Sequence, residues 1–310
     1  MKSNFCGVSP ALGYRASVGQ TEQFKHFHPT PEHVDTRSVA VRAGRIDATL
    51  IEARSIFTPA SGFMADWDYT LNAYSGCGFG CNYCYAAFFA RDPQRRDTWG
   101  DWVDIKQNAV ALIHRFCRRK QLTGKSIYMS SVTDPYQPVE RRLELTREIL
   151  RTLQPEQPRL AVQTRSPLVT RDIDVLKRFD VAQVNMTVTT DSETVSRAFE
   201  PHCPRNGKRL AAIAEIVEAG IDAGITMTPL LPVDSPERFA SDLVATGVER
   251  FVVQPFHPGK GRFVRGTGPA AVALADEMRW TEDRYLEVVQ VLRAALPGLQ
   301  EGRTGFAPPE

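Results

Sequence analysis

Short hydrophobic runs alternate with amphipathic segments over most of the chain. Six of these runs have the length and the β-branched or aromatic content of strands. They are residues 69–71, 126–130, 160–164, 181–188, 225–230 and 251–254. Apolar residues at helical spacing mark the segments between and after them, at residues 104–119, 142–153, 173–179, 208–219, 236–245 and 280–296. Because strands that alternate with helices build parallel sheets, the pattern predicts an α/β fold of six β/α units.

The start of the chain follows a different pattern. Residues 1 to about 36 show no sustained periodicity, and we interpret them as a polar arm rather than a metal site, although they contain three histidines. Residues 38–42 and 48–52 alternate weakly on either side of Ala43-Gly44-Arg45. They predict a small hairpin or extended pieces.

Composition and charge limit the class of protein. Of the 310 residues, 42% are hydrophobic and 24% are charged, which is typical of a globular chain with a sizeable core. We divide the chain into a partly irregular N-terminal extension, residues 1–60, and one barrel domain with a C-terminal helix, residues 61–310. The net charge of +2 gives no electrostatic footprint for nucleic acid, so any basic groove would have to be local.

The sequence carries no sign of export or membrane insertion. No run approaches the roughly 20 apolar residues of a membrane span. The first residues lack the apolar core of a secretory signal. Six cysteines, three of them clustered, do not form a disulfide framework. We therefore expect a cytoplasmic protein without a membrane partner.

Three of the cysteines lie in one glycine-rich loop directly after the first predicted strand. Cys77, Cys81 and Cys84 have the spacing C-x3-C-x2-C, and the three glycines between residues 76 and 80 let the backbone curl tightly. Three thiolates that converge from one short loop are typical of a metal or cluster site.

Ligand counting favours an iron–sulfur cluster. Structural zinc needs four ligands, and the next His and Cys along the chain are His114 and Cys117. A [4Fe-4S] cluster also has four ligand positions, so three cysteines would leave one iron open to an outside ligand. The alternatives are a zinc site with a distant fourth ligand and a chance set of buried thiols.

The cysteine spacing, with Tyr83 directly before the third cysteine, resembles the cluster motif of the radical S-adenosylmethionine (SAM) superfamily. Four runs resemble more closely the spore photoproduct lyase-like branch of that superfamily: NAYSGC at 72–77, CNYCYA at 81–86, SVTDPYQPVE at 131–140 and FEP at 199–201. The resemblance covers about residues 55–260. It implies a partial (β/α)6 barrel of the TIM type that follows an N-terminal extension.

The resemblance also implies two cofactors. A [4Fe-4S] cluster would bind Cys77, Cys81 and Cys84, and SAM would occupy the open iron. Reductive cleavage of SAM would give methionine and a 5′-deoxyadenosyl radical, which abstracts a hydrogen atom from the substrate. The electron would come from a reductant such as flavodoxin or ferredoxin. By the same resemblance, Tyr83 and Tyr85 would lie close to the cluster and SAM, with Tyr85 as a hydrogen-atom relay.

The ends of the predicted strands carry further candidates, because active sites of β/α barrels lie at the carboxyl ends of the strands. After the second strand, Ser131, Thr133 and Asp134 are candidates for binding the ammonium and carboxylate of SAM. The alternative reading of this segment is an Asp-Pro turn before a helix.

The third and fourth strands end on polar residues as well. Gln163 and Arg165 close the third strand, and Arg165 is suited to bidentate pairing with the carboxylate of SAM. Thr187, in the fourth strand, is a candidate for hydrogen bonds to a ribose or to the substrate.

Two residues are relevant to the identity of the hydrogen-atom donor. Cys203 lies in a proline-stiffened loop and is a candidate donor of a hydrogen atom, although a lone loop cysteine more often has no role. The DNA-repair lyases of the branch carry a hydrogen-donating cysteine after the second strand, and Ser131 stands at the matching position. Because a serine O–H bond is too strong for that part, we favour a small-molecule substrate over DNA.

The sequence therefore leads to one main hypothesis and two alternatives. The main hypothesis is a radical SAM enzyme that acts on an unidentified substrate. The first alternative is an enzyme that lyses thymine-type lesions in DNA. The second is an iron–sulfur electron carrier or sensor that binds no SAM.

Overall fold

The computed structural model describes residues 39–257 and 267–310 of the chain. The polar arm with His26, His28 and His33 lies outside the described residues, as does Cys6. Within them, twelve strands form two sheets. In chain order the strands are β1 (Val39–Ala43), β2 (Ile46–Ile51), β3 (Phe57–Pro59), β4 (Tyr69–Leu71), β5 (Tyr74–Ser75), β6 (Trp102–Lys106), β7 (Ser126–Met129), β8 (Arg159–Thr164), β9 (Ala182–Thr187), β10 (Asp222–Met227), β11 (Arg250–Val253) and β12 (Gln300–Glu301).

The larger sheet contains the six parallel strands that the hydrophobic pattern predicts. Its order is β3-β4-β7-β8-β9-β10-β11-β12. Neighbours from β4 to β11 pair in parallel. At the two edges, β3 pairs antiparallel with β4, and β12 adds a short parallel strand to β11. The predicted partial barrel of six β/α units is confirmed, with one extra strand at each edge.

Ten α-helices lie in the described ranges and connect or follow these strands. They are α1 (Pro93–Asp97), α2 (Ala109–Cys117), α3 (Glu140–Leu143), α4 (Leu145–Leu153), α5 (Ile173–Leu176), α6 (Glu193–Phe199), α7 (Asn206–Glu218), α8 (Pro236–Val244), α9 (Pro269–Glu277) and α10 (Glu282–Ala295). None of these helices combines the length and the apolar character needed to cross a membrane.

The predicted helix at residues 104–119 is wrong in its first part. Residues 102–106 form strand β6, which pairs with β2 on one side and with β5 on the other. Val103 and Ile105 are buried there, and β-branched residues fit a pleated surface well. The helix begins only at Ala109, after Asn108 has exchanged two side-chain hydrogen bonds with the backbone of Ala53.

One further helical prediction differs in detail, and helix α6 has no predicted counterpart. The segment predicted as one helix at residues 142–153 is two helices, α3 and α4, separated by Glu144 with a φ of 50°. Helix α6 was not predicted, and it begins where the Ser192 hydroxyl accepts a hydrogen bond from the Val195 amide. Serine at this position satisfies one of the free amides at a helix start.

The smaller sheet has the order β1-β2-β6-β5 and confirms the predicted hairpin. Gly44 lies in its turn with a φ of 67°, in the left-handed region that favours glycine. Because β2 pairs with β6, the described part of the N-terminal extension shares a sheet with strands of the barrel domain. The division of the chain at residue 60 stays a prediction.

A plug of apolar side chains closes the amino end of the barrel. Trp67, Tyr128, Val252 and Phe306 form a buried cluster of their own, together with Ala161. The Trp67 indole donates a 2.7 Å hydrogen bond to the Phe306 carbonyl. Trp67 precedes β4, so the plug lies at the end where the strands begin. The opposite end, where the strands finish, is not covered by this cluster.

Candidate functional site

The cysteine loop follows β5 at the carboxyl end of the barrel and coils in two tight turns. The Gly80 amide donates to the Cys77 carbonyl and the Cys84 amide to the Cys81 carbonyl, at 3.2 and 3.1 Å. Cys77 and Cys81 are buried, and Cys84 is half-buried. The two turns bend the loop back on itself, so the three cysteines lie in one compact segment after β5.

Side chains from other elements hold the backbone of this loop. Gln137 is fully buried, and its Oε1 accepts a 2.8 Å hydrogen bond from the Gly78 amide. The Thr133 hydroxyl donates to the Gly76 carbonyl at 2.6 Å. From the β1–β2 turn, Arg45 donates to the Gly78 carbonyl. The loop is thus fixed by the segment after β7 and by the small sheet.

A buried ion network lies directly behind Cys81. Arg165 Nη1 donates to Cys81 Sγ at 3.1 Å, to the Tyr83 hydroxyl at 2.8 Å and to Glu200 Oε1 at 2.9 Å. The Tyr83 hydroxyl in turn donates to the same oxygen of Glu200. Arg209, which is fully buried, forms an ion pair with the other oxygen, Oε2. One carboxylate therefore joins two arginines, a tyrosine and a loop cysteine.

Glu200 stays ionised in this network. It is 2% exposed, and burial alone would raise its pKa. The charges of Arg209 and Arg165 outweigh burial and hold the pKa of Glu200 at about 2. Thr189 adds a 3.0 Å hydrogen bond to Oε1. The carboxylate is negative at neutral pH and neutralises part of the buried positive charge.

Asp134, a predicted cofactor ligand, uses its carboxylate within the protein. It accepts hydrogen bonds from the Thr164 hydroxyl at 2.7 Å, the Arg165 amide at 2.9 Å and the Tyr136 amide at 2.8 Å. The bond from the Tyr136 amide forms a turn at Asp134-Pro135, and cofactor binding by Asp134 stays a prediction. The carboxylate joins the end of β7 to the end of β8, and so it orients the backbone at Arg165.

Ser131 and Tyr85 meet at the mouth of the barrel. The Asn72 side chain accepts hydrogen bonds from the Ser131 and Val132 amides at 3.0 and 3.2 Å. Its amide group donates to the Ser131 hydroxyl at 3.3 Å. The Tyr85 hydroxyl donates to the Ser131 carbonyl, and the Tyr85 side chain remains 46% exposed. Tyr85 therefore lies over the open end of the barrel.

Gln163 and Thr187 lie together one layer deeper. The Tyr128 hydroxyl donates to Gln163 Oε1 at 2.8 Å. Gln163 Nε2 donates to the hydroxyls of Thr187 and Thr226, both at 2.8 Å. These hydrogen bonds join the barrel strands to each other rather than to the cysteine loop. They make the interior of the barrel polar above the apolar plug.

Cys203 is close to the cysteine loop in space. Its Sγ lies 3.6 Å from Cys81 Sγ, and its amide donates to the Glu200 carbonyl at 3.1 Å. Burial raises the pKa of Cys203 well above its usual range. The structure thus brings this predicted residue to the cysteine loop.

The donor set of the loop fits an iron–sulfur cluster. Thiolates are soft ligands of the kind these clusters use, and all three come from one short loop. Burial raises the pKa of Cys77 well above its usual range and that of Cys84 to about 12, while the hydrogen bond with Cys203 lowers the pKa of Cys81. Within residues 39–257 and 267–310, no three or more side chains of His, Cys, Asp or Glu are grouped closely enough to hold a metal ion. Cys81 is turned toward Arg165 and Cys203.

Four supporting residues were not predicted from the sequence as parts of the site: Asn72, Gln137, Glu200 and Arg209. Asn72, Gln137 and Glu200 lie in runs that resemble the spore photoproduct lyase-like branch, whereas Arg209 lies in α7, outside these runs. Spacing alone does not pair Glu200 with Arg165, which is 35 residues earlier in the chain. That pairing depends on the barrel bringing the ends of neighbouring strands together.

Comparisons with known proteins identify a family and several relatives of this chain. The model of the family described as the radical SAM superfamily matches residues 71–243. An uncharacterized protein of Methanocaldococcus jannaschii is 35% identical over 188 residues, which cover 61% of this chain and 69% of that protein. An uncharacterized protein of Mycobacterium tuberculosis is 29% identical over 171 residues; the match covers 53% of this chain and spans only 50% of that protein.

Among solved structures, a spore photoproduct lyase superposes with a TM-score of 0.56 at 14% sequence identity. The match covers 81% of this chain and 80% of that chain. At this level of identity the likeness concerns the fold. It agrees with the parallel barrel described above.

Proposed function

This chain belongs to the radical SAM superfamily, and from this premise we propose that it is an enzyme that abstracts a hydrogen atom from a small-molecule substrate. Cys77, Cys81 and Cys84 would hold a [4Fe-4S] cluster, and SAM would bind at its open iron. When bound and reduced, this pair supplies the 5′-deoxyadenosyl radical. The observation that carries the proposal is the position of the three-cysteine loop at the carboxyl end of a barrel of six parallel strands.

The residues behind the loop would orient Cys81. The hydrogen bond from Arg165 fixes the direction of the sulfur, and Glu200 fixes Arg165 by accepting from the same nitrogen. Asp134 holds the backbone amide of Arg165 from the other side. We propose that this support, with Tyr83, keeps the sulfur in place, while the remaining guanidinium nitrogens of Arg165 are directed to the carboxylate of SAM.

The mouth and interior of the barrel would bind the rest of SAM and the substrate. Gln163 and Thr187 line a polar interior that suits ribose hydroxyls. Ser131 and Thr133 lie at the end of β7, between this interior and the cysteine loop. Tyr85, half-exposed above them, would pass a hydrogen atom between bound groups at the mouth.

The proposed substrate class rests on charge and on the residue at the end of β7. A net charge of +2 is far from the strong positive balance of most DNA-binding proteins. At the end of β7 stands Ser131, which has no thiol. A small molecule that fits the barrel mouth is therefore the preferred substrate. An oxygen-sensitive cluster also suits the reducing cytoplasm, where we place the protein.

Anaerobic reconstitution tests the proposal. The protein is loaded with iron and sulfide, reduced with dithionite and incubated with SAM, and 5′-deoxyadenosine is measured by chromatography. We expect formation of 5′-deoxyadenosine in the wild type and its loss in Cys77→Ala, Cys81→Ala and Cys84→Ala. Cys117→Ala is the matched control, because Cys117 lies at the end of α2, away from the loop. An intact cluster that neither binds nor cleaves SAM would instead identify an electron carrier or sensor.

Binding to duplex DNA distinguishes the DNA-repair alternative from the proposed reaction on a small molecule. A lesion-processing enzyme must contact phosphates, so its affinity for DNA falls steeply with salt. We expect no binding to a duplex oligonucleotide at low salt. Salt-sensitive binding would favour lesion repair over the small-molecule proposal.

A further inference from the structure

A half-open cavity of about 770 Å³ lies beside the cysteine loop, on the outside of the barrel mouth. One wall is apolar and is formed by Phe79, Pro138 and Leu168, from the loop itself and from the segments that follow β7 and β8. Cys203 and His202, from the loop between α6 and α7, line another side. The cavity therefore reaches the cysteine loop from outside the barrel.

The rim of this cavity is positively charged and unbalanced. Arg141, Arg205 and Lys208 line it, all three are exposed, and no Asp or Glu is among the lining residues. In the part of the chain that the structure describes, none of the three forms an ion pair with a carboxylate. In a protein with a net charge of only +2, this is a local concentration of free positive charge.

The cavity is close to the sulfur of a proposed cluster ligand. Cys203 lines the cavity, and its Sγ is 3.6 Å from Cys81 Sγ. Phe79 lies between Cys77 and Cys81 in the loop. The interior residues Gln163, Thr187 and Tyr85 do not line this cavity. A molecule in the cavity would thus lie one side chain from Cys81 and outside the space proposed for SAM and the substrate.

We propose that this cavity is the docking site of an acidic electron-carrier protein that reduces the cluster. The inference rests on the proposed function, since it assigns the entry point of the electron that the reaction needs. One electron passes from the carrier, which is oxidised, to the cluster, which is reduced, and no bond or proton is exchanged. Electron transfer requires proximity rather than contact with the reacting atoms, and the cavity provides it through Cys203 and Phe79.

Charge and shape favour a protein over a small anionic substrate. Free cations around a recess attract an acidic surface over long range, speed its association and make the rate sensitive to salt. The apolar wall gives the same partner a surface to bury. A substrate, in contrast, must meet the radical inside the barrel mouth, which this cavity does not share.

The test compares two reductants of opposite charge on the reconstituted holoenzyme. The variant Arg141→Glu/Arg205→Glu/Lys208→Glu reverses the rim, and the new acidic residue at position 208 lies in the first turn of α7, where negative charge suits the helix dipole. Cluster reduction is followed by stopped-flow absorbance and confirmed by EPR. The probes are reduced flavodoxin, an acidic protein, and reduced methyl viologen, a small cation.

We expect the triple variant to be reduced by flavodoxin at least about tenfold more slowly than the wild type at low salt. Its rate with methyl viologen should be unchanged or higher. The wild-type rate with flavodoxin should fall with salt, and the variant rate should not. The matched control is Arg118→Glu/Arg119→Glu/Lys177→Glu, which makes the same change in net charge at exposed positions after α2 and α5, at the opposite rim of the barrel.

Three results would overturn the docking site. The first is that flavodoxin reduces the rim variant as fast as the wild type. The second is that flavodoxin reduces the control variant as slowly as the rim variant. The third is that methyl viologen reduces the rim variant more slowly than the wild type by the same factor as flavodoxin does. If the wild type did bind a duplex oligonucleotide, and the rim variant lost this binding without any change in cluster reduction, the cavity would be assigned to nucleic acid instead. Failure of the proposed function has a different signature, because a cluster that accepts electrons from methyl viologen and yet cleaves no SAM would still report on docking.

Discussion

Within the described residues, the sulfur of Cys81 is contacted by two side chains from outside the loop. Arg165 Nη1 lies 3.1 Å and Cys203 Sγ 3.6 Å from it. Hydrogen bonds to the sulfur ligands of an iron–sulfur cluster stabilise its more negative, reduced state and so raise the reduction potential. We therefore expect Cys203→Ala to lower the midpoint potential of the reconstituted cluster in an EPR-monitored redox titration.

Cys117→Ala is the control for this prediction, since it removes a half-buried thiol that packs at the end of α2. Its midpoint potential should equal that of the wild type. An unchanged potential in Cys203→Ala would mean that Cys203 does not donate to a cluster-bound Cys81. The potential is informative here because a merely structural role of Cys203 would change protein stability and leave the potential unaffected.

Glu200 is the residue whose loss should have the largest effect on stability in the site. Glu200→Gln keeps the shape of the side chain but leaves Arg165 and Arg209 buried without their counter-charge. Breaking a buried ion pair in this way costs about 3 kcal/mol or more of the free energy of unfolding. Urea unfolding of the apo protein measures it. Glu148→Gln, which removes a solvent-exposed ion pair with Arg151, should cost less than about 0.5 kcal/mol.

The same carboxylate makes stability depend on pH in the acid range. The pKa of Glu200 is about 2 in the folded protein, below the ordinary value of 4.5. A lowered pKa gives stability that is fully present above pH 4.5 and is lost as the pH falls toward 2. The shift corresponds to about 3 kcal/mol. Between pH 5 and 3 the wild type should therefore lose stability more steeply than Glu200→Gln, and parallel pH profiles would contradict this.

At the scale of elements, the cysteine loop and the small sheet depend on close approach between backbone and side chains. Gly76 has a φ of 78°, and a Cβ built on it would lie 2.6 Å from the Trp102 ring of β6. Gly76→Ala should therefore lower the free energy of unfolding by about 2–4 kcal/mol, because left-handed backbone and overpacking both cost energy. It should also reduce the iron content after reconstitution.

Gly44→Ala separates the cost of the left-handed backbone from the cost of overpacking. Gly44 has a similar φ of 67° but nothing within 4 Å of the added Cβ. It should cost only about 1–2 kcal/mol, the price of the left-handed backbone alone. Its iron content should equal that of the wild type. Equal losses in both variants would show that Trp102 moves away freely and that the contact does not hold the loop.

The elements of the barrel were largely predictable, because each strand carries a local signal. A short apolar run between amphipathic segments marks β7 or β8 without knowledge of its neighbours. The local pattern predicts a helix where β6 lies, because Ile105 also fits a helical spacing with the apolar residues of α2. Its strand state depends on pairing with β2, more than 50 residues earlier in the chain. The local sequence pattern around β6 carries no information about its pairing with β2.

The site was predictable only where the chain itself brings residues together. The three cysteines lie in one loop, so their proximity follows from sequence. The pairing of Arg165 with Glu200 and the approach of Cys203 to Cys81 depend on which strand ends meet in the folded barrel. The contacts of Asp134 show the same limit, since its hydrogen bonds from the Thr164 hydroxyl and the Arg165 amide join the ends of two strands.

At the scale of the whole molecule, we expect one end of the barrel to carry the reaction and the other end to stabilise the fold. The carboxyl end carries the cysteine loop, while the Trp67–Phe306 plug seals the amino end. Phe306→Ala removes a buried ring that packs edge-on against Phe63 at a centroid distance of 5.5 Å. The expected cost is about 3 kcal/mol of the free energy of unfolding, measured by urea titration.

Because the plug lies at the far end of the barrel, Phe306→Ala should keep its yield of 5′-deoxyadenosine per cluster at temperatures where it is folded. Phe306→Leu is the matched control, since it retains apolar volume and should cost less than the alanine variant. A Phe306→Ala protein that is folded and fully loaded but cleaves SAM poorly would show that the two ends are coupled. We therefore expect Phe306→Ala to lose stability and keep activity. The cysteine loop lies where the strands finish, and the hydrophobic plug lies where they begin.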